Sequence, residues 1–532
     1  MQNNDPASID MLLSQNRMLN NYDVTFYKLD LEVSDTTNFI KGDVTIHARV
    51  VNKPLDTLVI ELADAMEIEK VSMNGKQYLF NHENDEIHIY VKPSAPVDDI
   101  IKVQVFYHGY PEKDDKPCGL YNSFSHNRNV TWTLSEPFSS KCWFPCKQVL
   151  KDKADSVYVF LTTDEYCKAG SNGLLTGVVP LGNGKVRYEW RSKYPIAYYL
   201  ISFAVARYSE YNIYAKPEGM VDSVLIQNYV YSDEYIVENK DLIDKTKDML
   251  ELYSSLYGTY PFKDEKYGHC MAPTTAMEHQ TMTTIDRFQF WLVAHELSHQ
   301  WFGNYVTCAS WQDIWINEGF ANYSEYIALQ NLISQEDADE WMRNAHHLIM
   351  SRPGGSVYVP EEETEDAMRL FTWRLSYNKG AALIHMIRYE LNNDDLFFEV
   401  LRTYLEEYKF GSATGMDFKK VLEKKTNRDF TDFFDQWYFG EGYPVFDIKW
   451  CQENDTLFIR SEQTTSSGKT QLFKMPVEFR IELEQGDTII KYDQDSNVQI
   501  FSTVLNNKVQ NIVPDPDNWI INDVKEITME FF

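Results

Sequence analysis

The spacing of apolar residues changes twice along this 532-residue chain, and that change limits what it can fold into. From Tyr22 to about residue 210 apolar and polar residues alternate with period two, as in YDVTFYKLDLEV, DVTIHARVV, TLVIEL, EIHIYV and IKVQVFY. Successive side chains of a strand face opposite ways, so each run offers one apolar face to a sheet. Turn signals separate the runs, among them Asn74-Gly75 and PEKDDKP at 111–117. From about residue 236 the period lengthens toward 3.6. IVENKDLIDKTKDMLELYSSLYG reads as a helix that stops at Gly258, with Pro261 close behind. FWLVAHELSHQWFGN and EGFANYSEYIALQNLI read as the next two helices. After the loop RPGGSVYVPEEETED, helices resume from about 376 to 439. Alternation returns beyond EGYP at 441–444, in FDIKW, LFIRSEQ, MPVEFRIELEQ and TIIKYDQD.

These shifts predict an α+β multidomain protein: a polar N-terminal segment (1–21), an all-β domain (22–210), a mainly helical domain (211–440) and a C-terminal β-sandwich-like module (441–532). A chain of this length exceeds one ordinary core. Its hydrophobic fraction of 43% and aromatic fraction of 14% belong to a packed globular protein. With 50 basic against 80 acidic residues the net charge is -30, which disfavours nucleic acid as a partner. No run of about 18 apolar residues predicts a transmembrane helix. The N-terminus carries no signal-peptide pattern. The expectation is therefore a soluble protein, cytoplasmic or else exported with its signal peptide absent from this chain. The seven cysteines are odd in number and scattered, and are not expected to build a disulfide framework. Nothing in the sequence fixes an oligomeric state.

The chemistry is concentrated in VAHELSHQWFGN, residues 293–304. Positions i and i+4 of a helix share a face, so His295 and His299 can turn their imidazoles toward one ion. Zinc takes imidazole nitrogen readily, and its catalytic sites keep one position open for water. Glu296 lies about 100° further round the helix, placed to reach that water without holding the metal. HExxH alone arises by chance in roughly one chain of this size in fifty. A third ligand is needed, and WINEGFANY supplies Glu318, on the next predicted helix. The alternative is a pair of core helices with four satisfied polar residues. Burying two His and two Glu without a partner is costly, which argues against it.

HELSHQWFGN followed by WQDIW and NEGFA resembles the zinc-binding segment of the aminopeptidase N family of zinc metallopeptidases. The resemblance implies a thermolysin-like catalytic domain, one Zn2+ per chain, His295, His299 and Glu318 as its ligands and Glu296 as general base. APTTAMEHQTM (272–282) resembles the family's GAMEN strand, which implies that Glu278 anchors the substrate's free α-amino group. TLSEPFSSKCWFPCKQ (133–148) resembles the segment that supplies a second acidic group there, which falls on Glu136. LSYNKGAALIHMIR (375–388) resembles the segment with the catalytic tyrosine, which falls on Tyr377. Met277 and Phe138, beside the two anchors, are candidates for lining the first side-chain pocket. Thr275 and His279 depart from the family's usual Gly and Asn. Asn317 and Gly319 are expected to shape the turn presenting Glu318, and Lys379 is expected to be solvated. The resemblance spans roughly residues 22–440; the long helical C-terminal domain of many relatives is missing.

Together these residues predict a zinc-dependent aminopeptidase. Glu296 would move the proton from water to the leaving amine, and Tyr377 would donate to the oxyanion. Glu136 and Glu278 would grip the positively charged end of a peptide with a free N-terminus. The alternatives are a zinc endopeptidase or an epoxide-opening or other hydrolase on the same centre, and a non-catalytic peptide-binding protein.

Overall fold

The computed structural model describes residues 18–114 and 116–532, so the expected polar segment 1–21 lies outside the described residues except for 18–21. The described residues pack as two compact units. The first gathers the chain through Ser255 with Thr259–Thr307 and Lys409–Ser412; the second holds Leu256–Gly258, Cys308–Tyr408 and Ala413–Phe532.

The first unit is dominated by sheet. Eight strands lie in the order Leu174–Gly182, Lys185–Ser192, Ser156–Asp164, Tyr22–Ser34, Thr37–Val50, Ile100–Gly109, Met66–Met73 and Lys76–Gln77. Strand Tyr22–Ser34 shows how the pattern is read by the fold. Tyr22 and Val24 are buried, and then Tyr27, Leu29, Leu31 and Val33, a switch from even to odd positions. The register against Thr37–Val50 shifts between Val24 and Phe26. One extra residue there returns the apolar set to the core face.

Two further sheets carry the candidate site. Strands Leu120–Ser125, Arg128–Thr133, Phe203–Ala206 and Lys168–Ser171 form one, and Arg128–Thr133 runs directly into the segment holding Glu136. Ser209–Ala215, Val224–Val230, Tyr267–Met271, Thr283–Ile285 and Ala276–Met277 form the other. Its middle three strands are parallel, and Ala276–Met277 lies antiparallel at the edge. Helix α1 (Asp233–Tyr257) makes the crossover between Val224–Val230 and Tyr267–Met271. Asp233 and Glu234 sit in its first turn, where negative charge suits the helix dipole. Gly258, at φ 102°, ends it in a conformation that glycine adopts without strain. Helix α2 (Phe290–Ser298) follows the last parallel strand.

One expectation is corrected here. Cys118 and Cys142 form a disulfide across 24 residues, while Cys146, Cys167, Cys270, Cys308 and Cys451 are buried thiols. The two partners are brought together by the segment before strand Leu120–Ser125 packing on the short helix Ser140–Trp143, a tertiary contact that spacing does not announce.

The second unit begins with α3 (Trp315–Leu332), buried all round from Trp315 to Ala328, as a central helix should be. Next come α4 (Gln335–Met350), a π-helical turn (Trp373–Lys379), α5 (Gly380–Leu391), α6 (Asp394–Glu407) and α7 (Gly415–Thr426). Ser334 caps α4, and Thr414 with Asp417 forms a capping box at α7. The C-terminal strands form a four-stranded sheet, ordered Val498–Val504, Thr456–Thr465, Pro444–Glu453 and Asp523–Met529, and a three-stranded one, ordered Asp487–Gln494, Met475–Leu483 and Val509–Pro514. Phe501 of the first meets Phe479 and Tyr492 of the second, with Tyr492 stacked at 4.5 Å. The order β, then helix, then β is the one the changing period predicts.

Candidate metal centre and its acidic neighbours

Helix α2 is apolar on most of its surface: Leu292, Val293, Ala294 and Leu297 are buried, and so are His295, Glu296 and His299. The helix ends at Ser298, and His299 keeps helical dihedrals as its C-cap. The two imidazoles therefore share a face, and their Nε2 atoms stand 3.1 Å apart. Two nitrogens each about 2.0–2.1 Å from one tetrahedral ion would stand about 3.3 Å apart. The pair is thus already spaced for a shared zinc. Nδ1 of His299 faces the Phe302 carbonyl at 2.9 Å, which fixes that ring and leaves Nε2 for a ligand. Tyr253 donates to the Ala294 carbonyl (3.1 Å) and steadies the helix one residue before His295.

Glu318 lies in the first turn of α3 and is buried. The ligand atoms of His295, His299 and Glu318 all lie within 4.8 Å of one another. Two neutral nitrogens and one carboxylate are the donor set of a zinc site that keeps a position open. The neighbours of Glu318 make contacts of their own. Asn317 accepts a hydrogen bond from the Cys308 amide (3.0 Å). Gly319 faces Gly380 of α5 so closely that a Cβ there would fall 2.9 Å from the Gly380 Cα. The missing side chains let α3 and α5 cross backbone to backbone, and α5 follows directly on the turn that carries Tyr377.

The carboxylate oxygens of Glu136, Glu278 and Glu318 also lie within 4.8 Å of one another. Carboxylates gathered so closely favour a cation among them, because like charges otherwise raise each other's cost of ionisation. Glu136 sits in a braced loop. The Leu134 amide donates to the Gly119 carbonyl (2.9 Å), Trp143 donates to the Ser135 hydroxyl (2.9 Å), and Tyr198 donates to the Pro137 carbonyl (2.7 Å). Glu278 directly follows edge strand Ala276–Met277, and Asn304 donates to its carbonyl at 2.8 Å. Met277 is buried, whereas Thr275 is exposed at the start of that edge. His279 is fully buried and pairs with the Thr284 hydroxyl (2.8 Å); burial pushes its pKa down to about 3, so it stays neutral.

Tyr377 is half-buried in the π-helical turn and stacks on Trp373 at 4.6 Å. Among the described residues, neither the His-His-Glu group nor the three-carboxylate group includes Glu296. Lys379 is not solvated, contrary to expectation. It is buried, donates to the carbonyls of Gly355 (3.1 Å) and Gly440 (3.4 Å), and burial pushes its pKa down to about 7. A lysine's sequence context gives no sign of which carbonyls the fold will bring to it.

Fold and donor set together define a metallopeptidase architecture. The Peptidase M1 N-terminal domain description matches residues 22–200, and the Peptidase family M1 domain description matches residues 242–437. The chain belongs to peptidase family M1, in line with the aminopeptidase N resemblance of its motifs. It is 33% identical over 178 residues to aminopeptidase N of Lactococcus lactis subsp. lactis, covering 32% of this chain and 21% of that one. It is 26% identical over 449 residues to aminopeptidase N of Lactobacillus delbrueckii subsp. lactis, covering 79% and 51%. The chain thus spans between about a fifth and a half of the length of these relatives. In fold it matches an M1 zinc metallopeptidase mutant from Deinococcus radiodurans bound to a Tyr-Ser-Ala substrate, with TM-score 0.65, 23% identity, and 76% and 91% coverage. Zinc is the metal the family implies, and His295, His299 and Glu318 are residues that fit it.

The sequence did not point to the groups that brace the site: the Phe302 carbonyl at the His299 ring, Asn304 at the Glu278 carbonyl, and Gln300 and Lys266 at the Thr281 backbone. Gln300 and Asn304 stand inside HELSHQWFGN, so their proximity to His299 was a signal; Lys266 carried none.

Proposed function

We propose that this chain is a zinc-dependent aminopeptidase that removes the first residue of peptides with a free N-terminus, using one Zn2+ per chain. The observation carrying this reading is the pairing of two clusters that share Glu318: a His-His-Glu donor set and a Glu136-Glu278-Glu318 acidic group. A metal site beside a cation site suits a substrate with an α-ammonium one residue from its scissile carbonyl. Zinc bound by His295, His299 and Glu318 supplies Lewis-acid polarisation and acidifies water.

The remaining steps belong to the chain. Glu136 and Glu278 bind the α-ammonium through charge-assisted hydrogen bonds, and an acylated amine loses that grip. Glu296 accepts the proton of the attacking water and returns it to the departing amine. Tyr377 donates its hydroxyl to the oxygen that gains charge. Met277 borders the anchor and lines the first side-chain pocket. The segment 22–210 contributes Glu136, 211–440 is the catalytic domain, and 441–532 is a β-sandwich-like support. Hydrolysis of alanyl- and leucyl-nitroanilides tests the reading: zinc-loaded protein should turn them over, and a chelator should abolish turnover. Equal cleavage of N-acetylated analogues would instead indicate an endopeptidase or another hydrolase on the same centre, and zinc binding without any hydrolysis would indicate a peptide-binding protein.

A further inference from the structure

The strongest observation outside the site itself is Thr281. Its φ is 64°, in the left-handed region where a β-branched residue is strongly disfavoured. It occupies the third position of a turn closed by the Met282 amide on the His279 carbonyl (3.1 Å), a place where positive φ normally selects Gly or Asn. Such a conformation persists only where the surroundings over-determine it. Here they do. The Thr281 amide donates to Gln300 Oε1 (2.9 Å), its carbonyl accepts from Lys266 Nζ (2.8 Å), and its hydroxyl oxygen accepts from the Gly173 amide (2.8 Å). Thr281 and Gln300 are fully buried.

The clamp extends over four consecutive carbonyls. Glu278 accepts from Asn304 Nδ2 (2.8 Å), His279 from the Met282 amide, Gln280 from Asn172 Nδ2 (2.7 Å) and Thr281 from Lys266. Two of the gripping side chains, Gln300 and Asn304, come from the few residues after His299, and the Asn304 amide itself donates to the His299 carbonyl (2.9 Å). One short segment thus carries an imidazole of the metal site and holds the backbone that carries Glu278.

We propose that Thr281 is a positioning residue: its strained, clamped turn sets the Glu278 carboxylate at a fixed offset from His299, and so fixes cleavage at one residue from the amine. This rests on the amine-anchor reading of Glu278. A flexible turn would have to be ordered by each substrate, which weakens binding more than the chemical step. Thr281→Gly removes both the strain and the hydroxyl and frees the turn, whereas Thr281→Ser keeps the hydroxyl.

The test uses zinc-loaded full chain, leucyl-nitroanilide, and thermal unfolding. Glu278→Gln serves first: an unchanged KM would end the amine-anchor reading and this proposal with it. With that KM raised, Thr281→Gly should raise KM about tenfold and leave kcat within about twofold, with a lower Tm because the buried Gly173 amide loses its acceptor; Thr281→Ser should stay near the parent in all three. Lys266→Met, which releases the same carbonyl from outside the turn, should show the same KM rise and covers a Thr281→Gly chain that fails to fold. A raised KM in Glu278→Gln with an unchanged KM in the Thr281 and Lys266 variants would overturn the proposal and leave the anchor standing.

Discussion

Glu296 and Tyr377 are assigned different work, and their removal should separate. Glu296→Gln keeps the size and the zinc ligands but cannot take a proton, so kcat should fall by about 10²–10⁴ with zinc content unchanged. Tyr377→Phe should lower kcat by about 10²–10³ with little change in KM, as for a donor used only where charge develops. Rates with one aminoacyl-nitroanilide, together with bound-zinc content, check both. Lys379 gives a prediction in pH. Its folded pKa, pushed down from 10.5 to about 7 by burial and by the nearby Arg374, means that the folded chain releases a proton the unfolded chain still holds. Stability from this group is therefore present above 10.5 and is lost as pH falls toward 7. Urea unfolding should show wild type gaining on Lys379→Met between pH 7 and pH 10, and parallel profiles would contradict it. At this scale the shared face of His295 and His299 was legible, because helix periodicity alone relates the two. Lys379 and Thr281 were not. The partners that fix Thr281 lie 15, 19 and 108 residues away, and no local preference would place a threonine at φ 64°.

Among the elements, the crossing of α3 and α5 at Gly319 and Gly380 decides how Glu318 and the Tyr377 turn are held within the second unit. A methyl at Gly319 would meet backbone at 2.9 Å, which cannot rotate away. Gly319→Ala should cost about 1–3 kcal/mol and weaken zinc binding, since Glu318 is the adjacent residue; denaturant unfolding and a zinc titration measure the two effects. Retained stability and affinity would mean that the helices slide apart at no cost. Helix and strand identities were readable from period, but ends were less so. FWLVAHELSHQWFGN reads as one helix to Asn304, yet α2 stops at Ser298 and Gly303 takes φ 123°. The departure from the helix is what brings the Phe302 carbonyl to His299 and Asn304 to Glu278. The Cys118–Cys142 bridge was illegible for the same kind of reason: it follows from the segment before strand Leu120–Ser125 packing on the short helix Ser140–Trp143, and not from any spacing pattern.

For the whole molecule, the sequence announced a β-rich start, a helical middle and a β-rich end, and the two M1 family descriptions match residues 22–200 and 242–437 within that order. The same reading joins a metal to a charged-amine grip, and that combination is what separates an enzyme counting from the N-terminus from other zinc hydrolases. The most direct measurement is mass spectrometry of two peptides with one sequence, one with a free N-terminus and one acetylated, incubated with zinc-loaded protein. The account predicts stepwise loss of single N-terminal residues from the free peptide and at least a hundredfold slower attack on the acetylated one, as expected when a buried and a half-buried carboxylate lose their cation. Cleavage of both at equal rates, or at internal bonds, would contradict it.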